Sequence, residues 1–366
     1  MSAWNIRKEK DISGCGIIGI MNEHGTAFSG EDITIAICNM MERGNGLGAG
    51  FAGYGIYPDL KNYWCFHIMY HNEEAKVTAE EFLNRHFILK YHEPIPTKEV
   101  KTLRSVPSLF RYFLETYDET KKRRDGEEED FVIGCAMDIN RHIEGAFTFS
   151  SGKNMGIFKG VGNPDEIAEF YQIPKYAGYI WTAHNRFPTN SPGWWGGAHP
   201  FGVLDWSVVH NGEISSYGTN KRYLENFNYC CSLFTDTEVM AYLFDLLVRR
   251  HGIDFEIVAK ILAAPFWNQI ERGKNEEEKT FLRSLRIIYG SALVNGPFSV
   301  VVANSTYMVG LNDRIKLRPL IAARKGNFLY LSSEEAAIRE VCKDLDTVWM
   351  PKAGEPIFGR LNNGKA

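Results

Sequence analysis

The sequence predicts an α+β fold in which antiparallel sheets are covered by helices, and three observations carry that reading. Strand-like segments come in consecutive runs instead of strict strand–helix alternation. Blocks with helical apolar spacing separate the runs, the longest from about 219 to 288. A chain of 366 residues with 44% hydrophobic and 13% aromatic content is large enough to fill the core that such layers require.

After a polar leader, GCGIIGIM opens a short buried strand at Cys15, and 31–43 has helical spacing. GAGFAGYGIY at 48–57 and NYWCFHIMY at 62–70 read as strands. The segment from about 72 to 130 reads as an insertion or lateral layer with two helical patterns, AEEFLNRHF and SVPSLFRYFLETY. FVIGCAMDI, GAFTFS, AGYIWTAH and FGVLDWSVVH follow as strands, and PFSVVVAN, TYMVGL, PLIAARKG and NFLYLSS close the chain after the helical block. The charge-dense stretches KKRRDGEEED at 121–130 and ERGKNEEEK at 271–279 read as solvated loops or frayed helix ends.

Composition narrows the function. A net charge of -4 and a pI near 6.2 leave no electrostatic footprint for nucleic acid or an anionic membrane. No apolar run reaches the roughly 18 to 20 residues that span a bilayer, and MSAWNIRKEKDISG holds no signal-peptide core, so a cytoplasmic protein is expected. Seven cysteines, at 15, 38, 65, 135, 230, 231 and 342, form neither a disulfide framework nor a CxxC pair, and no metal or cofactor is expected on this chain. His67 and His71 share an alternating strand-like run but lack a clear third ligand.

Candidate chemistry begins at Cys15, which stands between Gly14 and Gly16 where an apolar strand starts. Such a cysteine is either a packing residue or a nucleophile. A thiol with a pKa near ~8.5 needs a base. If residues 1–14 are removed, the new α-amino group, with a pKa of about 7.7 to 8.0, supplies one, and no catalytic histidine is needed. Further along, Arg186 in the polar segment TAHNRFPTN (Thr182 to Asn190) offers a planar fork for a carboxylate, or else a surface salt bridge. Asn211-Gly212 pairs a side-chain amide donor with an unshielded backbone N–H, suited to an oxyanion, and serves equally as a turn. Asp236 opens an apolar-periodic helix, where it caps the helix or holds a ligand ammonium. A carboxylate site, an ammonium site, a nucleophile and an oxyanion pair are what hydrolysis of an amino acid's side-chain amide demands.

These motifs, in this order, resemble the class II glutamine amidotransferases, an N-terminal nucleophile family. They are CGIIGI at Cys15, ERGNGLGAG at Arg43-Gly44, AHNRFPTN around Arg186, GGAHPF at His199, HNGE at Asn211 and TDTEVMAYLF at Asp236, then GPFSVVVAN and DRIKLRPLIAARKGNFLYLSSEEAAI. The resemblance implies a four-layer αββα sandwich of two antiparallel sheets. It also implies Cys15 as nucleophile, Asn211 and Gly212 as oxyanion hole, Arg186 on the glutamine α-carboxylate and Asp236 on its α-amino group. Thr189 and His210 would line the pocket, PTNSPGWWGG at 188–197 would close over glutamine, and Arg43 would support either the site or the glycine-rich turn. Residues 1–14 resemble a short propeptide, ahead of an amidotransferase domain over 15–366 that carries the insertion at about 72–130.

Within the family, the segment after Tyr57-Pro58 looks most like the stand-alone amidotransferase subunit of archaeal-type glutamate synthases. That likeness implies L-glutamine as substrate and a partner glutamate synthase subunit, holding FMN and iron–sulfur clusters, on which ammonia meets 2-oxoglutarate. The insertion is then a docking face or surface decoration. Two other readings stay open: a catalytically silent glutamine-binding or scaffolding subunit, and a glutaminase serving another acceptor such as a phosphoribosyl substrate.

Overall fold

A computed structural model describes residues 14–121, 126–187 and 193–362. Its centre is a pair of antiparallel sheets. The opening strand Gly16–Asn22 lies in the middle of a seven-stranded sheet, in the order Thr347–Trp349, Ile321–Lys325, Phe328–Ser332, Gly16–Asn22, Ile180–Asn185, Ala49–Tyr54, Met155–Gly160. Facing it is a five-stranded sheet in the order Phe201–Val203, Trp206–Gly212, Phe298–Ala303, Tyr307–Asn312, Ile357–Arg360. Strands buried on both faces read as near-continuous apolar runs, which is why GIIGIM and FSVVVA carry so little alternation.

The two sheets meet closely at Gly19. A methyl there would fall 2.6 Å from Sδ of Met308 and 2.8 Å from Cγ1 of Val301, both on the facing sheet. Beside it, the Tyr54 hydroxyl reaches across the interface, donating to the Ala303 carbonyl at 2.9 Å and lying 2.7 Å from Ser207 Oγ. Helices Gly30–Asn39 and Glu335–Val341 cover the outer face of the larger sheet. Asp236–Phe244, with Tyr217–Glu225 alongside, covers the outer face of the smaller one. The expected four-layer αββα sandwich is therefore the observed architecture.

The region after Tyr57 departs from the sequence reading. Trp64–Tyr70, Phe87–Pro94, Ser108–Thr116 and Ala146–Ser150 form a further four-stranded antiparallel sheet. SVPSLFRYFLETY, read as a helix, is in large part the strand Ser108–Thr116, paired on both sides. Its apolar residues alternate between two cores, Tyr112 and Leu114 into one and Leu109 and Phe113 into the other, and apolar residues on both faces imitate a helical pattern. FVIGCAMDI, read as a strand, lies inside the helix Glu127–His142. Four acidic residues fill the first turn of that helix, where the positive end of the helix dipole favours them. The end of KKRRDGEEED is thus a helix start.

This extra sheet is packed on both sides. Trp64, Phe66, Ile68 and Tyr70 join Leu83 and Val132 of the neighbouring helices, while Cys65 and Met69 join Phe51 and Ile157 of the seven-stranded sheet. His67 is fully enclosed, its Nδ1 2.9 Å from the Ile157 carbonyl and its Nε2 3.0 Å from the Tyr57 hydroxyl, and burial pushes its pKa down to about 3. Both ring nitrogens are committed to protein partners, which gives this histidine a structural task.

Candidate active site

Antiparallel pairing brings the sequence motifs together at one end of the sandwich. Gly16 is the register partner of Asn185, so Cys15 and Arg186 emerge side by side from adjacent strands. The next residue completes the contact: the backbone N–H of Phe187 donates to Cys15 Sγ at 3.3 Å. Burial pushes the Cys15 thiol above its ordinary range, opposed by the Phe187 N–H, by Arg186 and by Arg318, while Asp236 adds to the rise. As it stands, linked to Gly14, this thiol holds its proton tightly and requires a base to lose it.

Arg186 is buried on the floor of the same corner. Its position depends on the glycine-rich turn at 44–50. The Arg186 N–H donates to the Gly48 carbonyl at 2.8 Å, and a side chain at Gly48, where φ is +155°, would meet Arg186 Cδ at 3.1 Å. Gly44 is closer still, since a methyl there would fall 1.9 Å from Asn185 Oδ1. Asn185 in turn donates from Nδ2 to the carbonyls of Met40 and Met41 at 2.8 and 3.0 Å. ERGNGLGAG is therefore the cradle of Asn185 and Arg186. Burial lowers the Arg186 pKa, against the pull of Cys15, Asp236 and Glu213, yet a guanidinium keeps its charge at any physiological pH.

Arg43, at the start of that turn, reaches toward the candidate nucleophile. Its Nε donates to the Cys15 carbonyl at 3.0 Å, and its Nη1 lies 2.6 Å from Glu334 Oε1. The backbone of the candidate nucleophile is thus tied to the loop before helix Glu335–Val341.

Asn211 and Gly212 end the strand Trp206–Gly212 of the facing sheet. Asn211 is fully buried; its Nδ2 reaches Ser333 Oγ at 3.3 Å, and its Oδ1 has no hydrogen-bond partner among the described residues. Ser333 Oγ also accepts from the Ile17 N–H at 3.3 Å, which links Asn211 to the strand that begins beside Cys15. At Gly212 φ is +143°, and a methyl would come within 1.9 Å of the Pro297 carbonyl oxygen, so only glycine fits. A simple hairpin turn is not what this pair forms, since the chain runs on past it to the helix at Tyr217.

The two readings of Asp236 separate in the structure. Thr235 caps the helix, its Oγ1 accepting the Glu238 N–H at 3.2 Å, and Asp236 turns back instead toward the site. Its carboxylate accepts the Ile214 N–H at 3.1 Å and lies 3.6 Å from His210 Nδ1. Burial works against its ionisation, but His210 and the N–H groups of Ile214 and Thr237 outweigh it and hold the carboxyl below its usual range. An ionised carboxylate beside the mouth of the site suits a ligand ammonium.

Behind these groups lies a stack of buried histidines that the sequence did not announce as a unit. His184 donates from Nε2 to the His210 carbonyl at 2.9 Å, its ring 4.3 Å from that of His199, and His199 Nε2 is 2.6 Å from Thr237 Oγ1. Burial pushes His184 down to about 3 and His199 well below its ordinary value, so both are neutral supports. Lys159 is also fully buried, with Nζ 2.9 Å from the Gly196 carbonyl and 4.0 Å from the Phe201 ring centre. Thr189 and the segment 188–192 lie outside the described residues; at the end of PTNSPGWWGG, Trp195 packs under Phe170 and bonds the Arg104 carbonyl at 3.2 Å.

Known proteins place the chain. The family described as glutamine amidotransferases class-II matches residues 94–345, a stretch that takes in Arg186, Asn211, Gly212 and Asp236. An uncharacterized protein of Archaeoglobus fulgidus is 51% identical over 97% of this chain and 94% of its own length. A putative glutamine amidotransferase of Methanothermobacter thermautotrophicus is 25% identical over 89% of this chain and 93% of its own length. Among solved structures, the glutamine phosphoribosylpyrophosphate amidotransferase of B. subtilis aligns with a TM-score of 0.47 and 16% identity, over 94% of this chain and 47% of that one. With most of its length matched by the family, the chain belongs to the class II glutamine amidotransferases.

Proposed function

We propose that this chain hydrolyses the side-chain amide of L-glutamine through Cys15 and hands the ammonia to a partner glutamate synthase subunit that aminates 2-oxoglutarate. The observation that carries the chemical part is the convergence on one corner of the Cys15 thiol, the Arg186 guanidinium and the Asp236 carboxylate, from three separate elements. In this reading Arg186 takes the α-carboxylate and Asp236 the α-amino group, with His210 and Thr189 lining the pocket. The thiolate attacks the amide carbon, and Asn211 with the Gly212 N–H stabilises the oxyanion. Ammonia leaves with the proton that the thiol gave up, and water then cleaves the Cys15 thioester to release glutamate.

The base is the α-amino group that removal of residues 1–14 creates. A buried thiol whose pKa is raised supports this need. The redox groups that glutamate synthesis requires, FMN and iron–sulfur clusters, belong in this reading to the partner.

Incubation with a glutamine-like electrophile followed by peptide mass spectrometry tests the hydrolase. A modified peptide beginning at Cys15 is expected. Bound glutamine without modification would instead favour a silent binding or scaffolding subunit. Co-purification with a flavin-containing chain, and glutamate formation that depends on 2-oxoglutarate, test the acceptor; ammonia transfer to a phosphoribosyl substrate instead would replace it.

A further inference from the structure

Strand Tyr307–Asn312 runs into a tight loop at 313–318 whose form is set by Asp313. That carboxylate, almost fully buried, accepts the N–H groups of Phe298 at 3.2 Å, Ile315 at 2.9 Å, Leu317 at 2.9 Å and Arg318 at 3.4 Å. Phe298 is the register partner of Gly212, so the loop is fastened to the sheet end that carries Asn211 and Gly212. Ile315 and Leu317 are exposed, and Lys316 takes a left-handed φ of +55° that lets the loop turn back. Arg318 points the other way. Its Nη1 is 3.7 Å from the point where a Cβ of Gly14 would lie, and Nη2 of Arg43 is 3.4 Å from the same point. Two guanidinium groups thus flank the residue joined to the Cys15 nitrogen.

The charges facing this corner differ in how they are answered. Arg43 meets Glu334 at 2.6 Å, and Arg186 feels both Asp236 and Glu213. Arg318 Nε is buried without a hydrogen-bond partner among the described residues. A loop knotted by Asp313 that brings this guanidinium to Gly14 while leaving its buried Nε–H unanswered is a costly arrangement unless the cation acts on its neighbour.

We propose that Arg318 is a positioning residue that acts through Cys15, its guanidinium disfavouring a proton both on the thiol and on the α-amino group exposed when residues 1–14 are removed. The inference rests on the reading of Cys15 as nucleophile. A nearby cation stabilises the thiolate and destabilises the ammonium, so both groups lose their protons at lower pH. An α-amino group with an ordinary pKa of about 7.7 to 8.0 is mostly protonated at pH 7 and a poor base there. The field of Arg318 moves it into the useful range.

The test uses the processed protein, with Arg318→Gln and Arg318→Lys. The pH dependence of kcat/KM for glutamine and of Cys15 alkylation by iodoacetamide are measured together. Arg318→Gln is expected to move the acid limb of both profiles upward by roughly 0.5 to 1 unit, a three- to tenfold loss below the limb that shrinks as pH rises. Arg318→Lys, which keeps the charge and serves if the Gln variant fails to fold, should hold the limb near its original place. A uniform loss at every pH with unmoved limbs, or a Lys variant displaced as far as the Gln variant, would overturn the proposal. Failure of the underlying reading looks different: Cys15→Ala would then retain hydrolysis whatever Arg318 does.

Discussion

The Phe187 N–H points at Cys15 Sγ from 3.3 Å, and since Phe187 directly follows Arg186, one short backbone segment addresses both the candidate nucleophile and the candidate carboxylate site. Any distortion of this segment changes substrate position and thiol together. Substitution of the thiol alone is the cleaner probe. Cys15→Ala is expected to abolish ammonia release and to leave glutamine binding within severalfold, as read by calorimetry; an unchanged rate of release would remove Cys15 from the mechanism.

Asp236 offers a sharper test of binding, because Thr235 supplies the helix cap and the carboxylate is not needed for it. Loss of a charge-assisted hydrogen bond costs about 1.5 to 3 kcal/mol. Asp236→Asn should therefore raise KM for glutamine roughly 10- to 100-fold, with a smaller change in kcat. Steady-state kinetics decide this, and an unaltered KM would return Asp236 to a purely structural role.

For the oxyanion pair the expected loss falls on kcat. Asn211→Leu should lower turnover on the order of 100- to 1000-fold with little change in KM. Gly212→Ala is expected to be worse, since its methyl would collide with the Pro297 carbonyl and bend the sheet end itself. Thermal melts alongside the kinetics separate the two causes: a normal Tm in the Asn211 variant and a lowered one in the Gly212 variant.

Lys159 and Glu238 predict a pH-dependent stability. Burial lowers Lys159 to about 7 and raises Glu238 to about 7. For Glu238, whose unfolded value is near 4.5, the folded state holds the proton more tightly, so stability falls as pH rises from about 4.5 to 7. For Lys159 the folded state releases its proton more readily, so stability recovers as pH rises from about 7 toward 10.5. A shallow minimum in Tm near neutrality is expected from the pair. Thermal melts between pH 5 and 9 should show it, and Lys159→Met combined with Glu238→Gln should flatten it; an unchanged profile in the double variant would assign the dependence elsewhere.

Much of the fold was legible because strands such as Trp64–Tyr70 and Phe298–Ala303 are apolar, short and bounded by turns. Ser108–Thr116 and Glu127–His142 were exchanged for each other's type because both are apolar in ways that periodicity resolves poorly. A strand with two buried faces loses its alternation, and a helix with six buried residues in eight reads as a continuous run. At the site, Cys15, Arg186, Asn211, Gly212 and Asp236 stood out through local composition. Ser333 and Glu334 did not, because each reaches the corner only through pairing of strands some 300 residues apart in sequence, as in the register of Ile18 with Ser332, and Arg318 did not, because it comes from the loop that Asp313 fastens to the facing sheet. Asn185 had a usable signal: it precedes Arg186, and the glycines of ERGNGLGAG had to be making room for something.

The four-stranded sheet after Tyr57 also bears on how this chain is dissected in the laboratory. Each of its faces lines a different core, so excising it would bare the flank of the seven-stranded sheet and strand the helices Glu73–His86 and Glu127–His142 at the same time. A shortened relative must refill that flank with other side chains, and a minimal catalytic fragment of this protein has to keep the region from Trp64 to Ser150 whole.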